Sequence, residues 1–292
     1  MGLIDDIRSK KPMVVPGVYD ALGARMAQSV GFAAMFQTGY GTSATLFGMP
    51  DYGFVGAAET LDNARRICSA VSTPVIVDAD TGYGGALNVR RLVQQLESAG
   101  AAGMFLEDQV WPKRCGHMHG KDVTTHAEYT EKLGAALDAR QSRDFVIVAR
   151  TDARATLGLE NAIQRGVDNY KTGADVIFIE APLSISEMGQ IGSSIKAPLV
   201  ANMIEGGVTP LQSAESLHGM GFSLVLYPLS VLYASAVASL RALSELHKNG
   251  TVSSKPSDIM SFDQFNELVG LSDMHKLEEQ YRIKQHGAKQ EN

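Results

Sequence analysis

Short apolar runs alternate with amphipathic segments along most of the chain, and this pattern predicts the fold. Eight such runs occur, at residues 12–15, 33–36, 74–77, 103–106, 145–148, 176–179, 198–200 and 222–226. Uninterrupted apolar runs of this length are typical of parallel strands buried on both faces, because a strand with one solvent face alternates with polar residues. The runs therefore predict eight strands of a parallel sheet.

The segments between the runs predict helices. In residues 88–100, the apolar positions Val89, Leu92, Val93 and Leu96 recur at helical spacing, and the glycine at 100 predicts the helix end. Eight strand–helix units with short turns predict a closed (β/α)8 barrel, and an open doubly wound sheet is the alternative. No Gly-x-Gly-x-x-Gly follows the first run, which weakens that alternative.

The region after the eighth run has a different pattern. Residues 230–240 predict an apolar helix with few charges, which needs cover on every side from either a subunit interface or the core of its own chain. Small, polar and proline-rich residues at 249–256 predict a linker, and residues from Ser261 onward predict a terminal helix with a polar tail. We therefore expect a barrel domain at residues 1–249 and a C-terminal linker, helix and tail at 250–292.

Composition and charge narrow the class of protein. The 292 residues are 45% hydrophobic and 20% charged, which is close to the average of globular proteins with a sizeable core. The net charge of −6 and the absence of a long basic run argue against nucleic-acid binding. No apolar stretch reaches the roughly 18 residues of a membrane span, and the first residues lack the features of a secretion signal. We expect a cytoplasmic protein, or one of an organellar matrix, whose two cysteines are free thiols.

Polar side chains follow most of the predicted strands. They are Thr38, Gly39, Tyr40, Asp78, Asp80, Glu107, Asp108, Arg150, Thr151, Asp152, Glu180, Asn202, Tyr227 and Pro228. The carboxyl ends of parallel strands lie at one face of a barrel, where barrel enzymes place their sites. Any one of these residues could be a turn former or a helix cap, but the whole set predicts a functional site.

Three acids in this set predict a metal site. Asp78 and Asp80 are two residues apart, so that an extended backbone directs both side chains to the same side, and Glu107 follows the next strand. Three carboxylates so close would repel one another without a cation between them. Because no paired His or Cys ligands are nearby, oxygen ligands favour Mg²⁺ or Mn²⁺ over Zn²⁺.

Residues 113–119 surround Cys115 with cationic side chains and glycine. Cationic neighbours lower the pKa of a thiol, so this segment predicts a reactive thiolate, whereas Cys68 has the apolar surroundings of a structural cysteine. His117 and His119 could be metal ligands, and we favour a supporting role for His117.

Arg150 and Trp111 each have two interpretations. Arg150 offers a planar fork for a substrate carboxylate, or it forms a structural ion pair with a neighbouring acid. Trp111 precedes the cysteine segment, where it either covers that loop or simply packs against it.

These motifs resemble the isocitrate lyase and phosphoenolpyruvate mutase superfamily over nearly the whole chain. The matching segments are residues 16–21, 38–41, 50–51, 78–84, 107–109, 113–117, 149–153 and 227–230. The resemblance implies a Mg²⁺-dependent (β/α)8 barrel that forms a homotetramer and exchanges its eighth helix between subunits. The cysteine segment implies a carbon–carbon lyase or a related hydrolase, because the phosphonate mutases lack it.

The resemblance also implies a role for each site residue. Asp80 would lie nearest the metal, with Asp78 and Glu107 holding its waters. Thr38, where the family often has Ser, would bind the 2-oxoacid half of the substrate together with Gly39 and Tyr40, and Tyr40 is a candidate base. Cys115 would be the general acid on a closing loop, supported by His117, and Arg150 would hold a carboxylate. The other implied substrate contacts are Asp51, Lys113, Arg114, Gly116, His117, Glu180, Asn202 and Pro228.

We expect the reaction to be retro-aldol cleavage of a 2-hydroxy dicarboxylate. The continuation Met118-His119-Gly120-Lys121 resembles the 2-alkylmalate and 2,3-dimethylmalate lyases, since 2-methylisocitrate lyases have a more basic segment there. The products would be a 2-oxoacid such as pyruvate and a carboxylic acid. The alternatives are cleavage of the tricarboxylate 2-methylisocitrate, hydrolysis of oxaloacetate, a phosphonopyruvate mutase or hydrolase, and a noncatalytic barrel.

Overall fold

A computed structural model describes residues 2–9, 11–252 and 259–287. Part of the predicted linker, residues 253–256, and the end of the predicted polar tail, residues 288–292, lie outside the described residues.

Eight parallel strands form a closed barrel in the order of the chain. They are β1 (Met13–Val18), β2 (Met35–Gln37), β3 (Val75–Asp78), β4 (Gly103–Glu107), β5 (Val146–Thr151), β6 (Val176–Ile179), β7 (Leu199–Asn202) and β8 (Leu224–Tyr227). Strand β8 pairs with β1 from Met13 beside Leu224 to Pro16 beside Tyr227, which closes the sheet. The predicted (β/α)8 barrel is confirmed, and the open doubly wound sheet is wrong.

Helices precede, connect and come after the eight strands along the chain. They are α1 (Leu3–Ile7), α2 (Ala21–Val30), α3 (Gly39–Phe47), α4 (Ala57–Ala70), α5 (Ala86–Ser98), α6 (His126–Ala139), α7 (Ala153–Leu157), α8 (Leu159–Thr172), α9 (Ile185–Ser194), α10 (Ala214–Gly219), α11 (Ser230–Asn249), α12 (Phe262–Leu268) and α13 (Leu271–Gly287). The four apolar positions of α5 are buried as its spacing predicts. Side-chain caps begin several helices, as at Asp20, whose Oδ1 accepts a hydrogen bond from the Gly23 amide at 2.6 Å.

The core has two layers. Alternate strand residues fill the barrel interior, where the rings of Phe36 and Phe105 lie 4.8 Å apart and those of Phe105 and Phe178 lie 5.8 Å apart. The second layer packs the outer faces of the strands against the helices. Because Phe36 and Phe178 stand near the carboxyl ends of their strands, the interior layer also forms the floor of the site described below.

The chain divides into two compact units, residues up to Ala234 and residues from Ser235. Helix α11 has no buried residue, and Val237, Leu240 and Leu243 are 59%, 63% and 61% exposed. The interpretation of this segment as a core helix is therefore wrong, while its exchange between subunits stays a prediction. Extra C-terminal helices, α12 and α13, are confirmed, and the domain boundary at residues 249 and 250 stays a prediction. Among the described residues, no helix has the length and apolar character to cross a bilayer.

Candidate active site

The carboxyl ends of the strands and the Cys115 loop enclose a cleft of about 420 Å³. Its lining residues are Phe36, Thr38, Tyr40, Asp51, Asp78, Cys115, Gly116, Arg150, Phe178, Glu180, Asn202, Ile204, Leu226, Pro228 and Leu229. Most of the predicted site residues are therefore brought to one place, although they come from segments far apart in the chain.

Asp78 lines the cleft, Glu107 pairs with Arg150 of the same lining, and Asp80 follows Asp78 by two residues in a backbone that holds it in place. Asp80 has a φ of 46°, a left-handed conformation that is costly outside glycine and that clusters at functional sites. The Tyr83 hydroxyl donates to Asp80 Oδ2 at 3.2 Å. Asp78 accepts hydrogen bonds from the amides of Gly39 and Asp80, each at 3.2 Å, so that it ties the loop after β2 to the loop after β3.

Burial makes the ionised forms of Asp80 and Glu107 costly. It raises the pKa of Asp80 to about 7, against an opposing effect from the Lys113 ammonium, and it holds the pKa of Glu107 well above its usual range, against Arg150. Among the described residues, Glu107 Oε1 is buried without a hydrogen bond or an ion pair, whereas Asp80 Oδ1 lies 2.7 Å from Lys113 Nζ and Glu107 Oε2 lies 3.2 Å from Arg150 Nη1 without an aligned hydrogen bond. A buried carboxylate oxygen left without a partner fits a hard divalent cation.

The arrangement suits a cation that keeps much of its water. Among the described residues, no three His, Cys, Asp or Glu side chains converge closely enough to hold a metal by themselves. Mg²⁺ is commonly bound through one or two carboxylates and several waters, which requires no such convergence. The donor chemistry of Asp78, Asp80 and Glu107 is therefore compatible with the predicted Mg²⁺.

Lys113 is a buried cation that joins two loops. Its Nζ lies 2.6 Å from Asp51 Oδ1 and 2.7 Å from Asp80 Oδ1. Burial would lower the pKa of Lys113, but the carboxylates of Asp80 and Asp51 hold it well above its usual range. The ammonium is therefore charged, and it connects the segment around Asp51 to the acids of the predicted metal site.

Arg150 forms the structural ion pairs that its sequence position allows, and it also lines the cleft. The guanidinium donates to Asp152 at 2.9 and 3.2 Å and pairs with Glu107 at 3.2 Å and with Glu180 at 3.3 Å. It also lies 5.4 Å from the centre of the Phe178 ring and lines the cleft. Structural ion pairs to all three of its nitrogens thus fix the guanidinium at the cleft wall.

Glu180, Asn202 and His117 form a second polar group. Asn202 Nδ2 donates to Glu180 Oε2 at 3.2 Å, and His117 Nε2 lies 3.2 Å from Glu180 Oε1, although not aligned as a hydrogen bond. The Val208 amide donates to His117 Nδ1 at 3.0 Å, which assigns the proton of the neutral ring to Nε2, facing Glu180. Burial would raise the pKa of Glu180, but Arg150 and His117 hold it well below its usual range.

The expected thiolate at Cys115 is wrong. Burial raises the pKa of Cys115 to about 11. The neighbouring cations do not offset this effect, because Asp51 and Asp80 neutralise Lys113 and because Arg114 turns away. Cys115 is therefore a thiol at neutral pH, which is the form that a general acid requires. Burial likewise raises the pKa of Cys68 to about 11, as its apolar surroundings suggest.

Four predicted substrate contacts, Gly39, Lys113, Arg114 and His117, are not among the residues that line the cleft, and the side chain of Arg114 is held elsewhere. Its Nη1 donates to the His119 carbonyl at 3.0 Å, and its guanidinium lies 5.3 Å from the centre of the Tyr52 ring. The backbone of Arg114 is held instead, because the Gln109 side chain accepts from its amide at 3.0 Å and donates to its carbonyl at 2.9 Å. This clamp fixes the chain one residue before Cys115.

Several residues around the site were not predicted. Lys121 donates to Asp152 Oδ1 at 2.9 Å and to the Gly116 carbonyl, so it ties the Cys115 loop to the wall at Arg150. The Tyr40 hydroxyl hydrogen-bonds with Tyr233, whose pKa burial raises to about 12. Asp152 follows β5, a position that signals a site, whereas nothing in the local sequence around Lys121 or Tyr233 signals these contacts.

Comparisons with known proteins agree with this geometry. The family model described as phosphoenolpyruvate phosphomutase matches residues 4–247. The chain is 47% identical over 273 residues to carboxyvinyl-carboxyphosphonate phosphorylmutase, chloroplastic, of Arabidopsis thaliana, covering 92% of this chain and 80% of that protein. It is 41% identical over 275 residues to 2,3-dimethylmalate lyase of Eubacterium barkeri, covering 94% and 95%.

Solved structures show the same fold. The structure of oxaloacetate acetylhydrolase in complex with 3,3-difluorooxalacetate has a TM-score of 0.91 and 34% identity, covering 96% of both chains. That of 2,3-dimethylmalate lyase, trigonal form, has a TM-score of 0.90 and 36% identity, covering 96% of this chain and 94% of the other. The closed barrel with a polar cleft at its carboxyl face defines a (β/α)8 enzyme. The chain belongs to the phosphoenolpyruvate mutase/isocitrate lyase superfamily.

Proposed function

We propose that the protein is a Mg²⁺-dependent carbon–carbon lyase that cleaves a 2-alkylmalate such as 2,3-dimethylmalate. The products are a 2-oxoacid such as pyruvate and a carboxylic acid. The observation that carries the proposal is that a protonated thiol, Cys115, and the acid Asp78 line one cleft, while Glu107 pairs with Arg150 of the same lining and Asp80 follows Asp78 by two residues. Relatives named as lyases for 2,3-dimethylmalate and 2-methylisocitrate support the class of reaction.

The acids would hold the metal in the proposed site. Asp80 would be its carboxylate ligand, and Asp78 and Glu107 would bind its waters. Bound Mg²⁺ would orient the substrate and lower the pKa of its hydroxyl group.

The protein's own residues supply the proton transfers. A base takes the proton of the substrate hydroxyl as the carbon–carbon bond breaks, and the released carbon becomes part of an enolate that accepts a proton from Cys115 Sγ. We propose Tyr40 as the base, since its hydroxyl lines the cleft and is held by Tyr233. Arg150 lines the cleft, and we assign it the role of holding a substrate carboxylate. His117 maintains Glu180 in its ionised form beside Arg150.

The cleft favours a dicarboxylate that carries an alkyl group. Apolar side chains form much of its lining: Phe36, Phe178, Ile204, Leu226, Pro228 and Leu229. Among the described residues around the cleft, Arg150, Lys113 and Lys121 are all paired with acids. A third carboxylate, as in 2-methylisocitrate, would have no free cation to pair with, whereas an alkyl substituent finds apolar contacts.

Oxaloacetate hydrolysis is the second candidate, because the fold superposes closely on that of oxaloacetate acetylhydrolase. That reaction gives oxalate and acetate, whereas the lyase gives no oxalate. The Arabidopsis relative is named for phosphoryl transfer, so phosphonopyruvate also belongs in a substrate panel.

The test is a substrate panel with Mg²⁺. The purified protein is incubated with 2,3-dimethylmalate, 2-methylisocitrate, oxaloacetate or phosphonopyruvate, and pyruvate and oxalate are measured. We expect pyruvate from 2,3-dimethylmalate, loss of at least about 100-fold in kcat for Cys115→Ser, and no loss for the matched variant Cys68→Ser. Equal turnover by Cys115→Ser would refute the acid role, and oxalate release would support the hydrolase.

The proposal also includes the oligomeric state and the cellular location of the protein. We propose a homotetramer that exchanges α11 between subunits, supported by the exposed apolar residues of that helix. We also propose a location in the cytoplasm or in an organellar matrix.

A further inference from the structure

A second cavity lies beside the catalytic cleft, at the same face of the barrel. Its volume is about 1320 Å³, and it opens between the loops that follow β2, β3 and β4. Trp111 and Val110, which are 45% and 43% exposed, form an apolar wall. The Trp111 ring meets the Tyr83 ring edge to face, with centroids 6.1 Å apart. The cavity shares no lining residue with the catalytic cleft.

Lys132 gives this cavity an incompletely paired cation. The residue is 9% exposed, yet within the described part of the chain its Nζ atom has only the Thr81 carbonyl at 3.5 Å and Glu128 Oε1 at 3.9 Å as partners. Glu128 itself is 53% exposed, so water competes for its carboxylate. An ammonium has three donors, and buried charges are normally paired at shorter range. Lys132 therefore has capacity for an anion.

The rim of the cavity also favours negative charge. Gly56, Gly85 and Thr125, the residues that precede α4, α5 and α6, all line it. Each of these helices has 13 or 14 residues, and the positive end of a helix dipole favours an anion. Side chains already cap one amide at each end, because Glu59 accepts from Gly56, Asn88 from Gly85 and Thr125 from Glu128. The helix ends alone would define no site, but they surround the buried ammonium.

We propose that this cavity binds a monocarboxylate with an aromatic or branched apolar tail. Its carboxylate pairs with Lys132, and its tail packs against Trp111 and Val110. One ammonium matches one carboxylate, and the apolar wall disfavours a second charge on the ligand.

Two residues that line the cavity also hydrogen-bond to residues of the proposed catalytic site. Tyr83 donates to Asp80, and Gln109 clamps the backbone of Arg114 next to Cys115. A ligand in the cavity contacts both supports, so its binding changes turnover. This consequence rests on the proposed function, whereas the binding itself does not.

Trp111 is the only tryptophan of the chain, so its fluorescence reports on this cavity. The full-length protein is titrated with phenylacetate, with phenylacetamide as the neutral control. We expect a saturable change with phenylacetate, at least about tenfold weaker binding of phenylacetamide, and no displacement of phenylacetate by saturating oxalate with Mg²⁺. Displacement by oxalate would place the probe in the catalytic cleft and overturn the proposal.

Variants identify the contacts. Lys132→Met is expected to weaken phenylacetate binding at least about tenfold, Lys132→Arg to retain most of it, and the exposed control Lys171→Met to leave it unchanged. Val110→Asp, at an exposed wall position, is expected to abolish binding, because the new carboxylate repels the carboxylate of phenylacetate. This variant tests the proposed binding site if Lys132→Met does not fold. Wild-type affinity in Val110→Asp, or in a folded Lys132→Met, would overturn the proposal. A change in binding without a change in turnover would refute the coupling alone.

Discussion

Replacing Gly116 by alanine tests the geometry of the cleft directly. A Cβ at this position would lie 2.6 Å from Arg150 Nη2 and 2.6 Å from both Cγ and Cδ of Glu180. Ordinary contacts between nonbonded heavy atoms are about 3.5–4.0 Å, so one side must move by about 1 Å. Neither neighbour yields easily, since Arg150 pairs with three carboxylates and Glu180 is buried against Asn202.

Two magnitudes follow for Gly116→Ala. Overpacking at a buried position costs about 1–3 kcal/mol of stability. A displacement of about 1 Å among residues that position a substrate costs about 100-fold in rate, or about 3 kcal/mol of activation free energy. We therefore expect kcat/KM for the cleaved 2-alkylmalate to fall about 100-fold while the protein remains folded.

The assay compares Gly116→Ala with two matched substitutions. Gly134 in α6 and Gly189 in α9 have nothing within 4 Å of an added Cβ, so alanine there is expected to leave turnover unchanged and to raise stability by up to about 1 kcal/mol. Steady-state kinetics and urea denaturation are measured for all three variants. Turnover of Gly116→Ala within about threefold of wild type would show that Arg150 and Glu180 do not hold the positions on which the proposed site depends.

Four further predictions follow from the structure. Lys113→Met leaves Asp51 and Asp80 buried without their cation and is expected to lower the free energy of unfolding by about 3–5 kcal/mol in urea denaturation without Mg²⁺; a loss no larger than that of Lys276→Met, at an exposed position, would contradict the buried pair. Because the pKa of Cys115 is raised to about 11, the thiolate fraction grows about tenfold per pH unit below that value, and alkylation by iodoacetamide in Cys68→Ser should still accelerate between pH 8 and 10; a plateau by pH 9 would refute this. Chelation by EDTA should abolish turnover, and Mg²⁺ or Mn²⁺ should restore it; full activity in EDTA would exclude the proposed metal role. Leu243→Glu should shift the tetramer to smaller species in light scattering after size exclusion, and an unchanged mass would place the subunit contacts elsewhere.

The site contains some residues whose position could be predicted from the local sequence and others whose position could not. Asp78, Asp80, Glu107, Glu180 and Asn202 could be placed together from sequence, because all of them end or follow a strand and parallel strands share one direction. Lys121 and Tyr233 could not be placed in this way. Lys121 contacts Asp152 across 31 positions of the chain, and no period or motif carries that information.

The strands, their order and the face that bears the site follow from the sequence by itself, because apolar runs and helical spacing are local properties and a parallel barrel has few ways to close. The ionisation of Cys115, the partners of Arg150 and the position of Arg114 were decided only by the tertiary structure. Charge and pKa depend on burial and on neighbours such as Asp51, which lies 62 positions from Lys113. The segment around Cys115 is basic when it is read along the chain, but folding pairs its lysine with distant acids and surrounds its thiol with protein, which keeps the proton on sulfur.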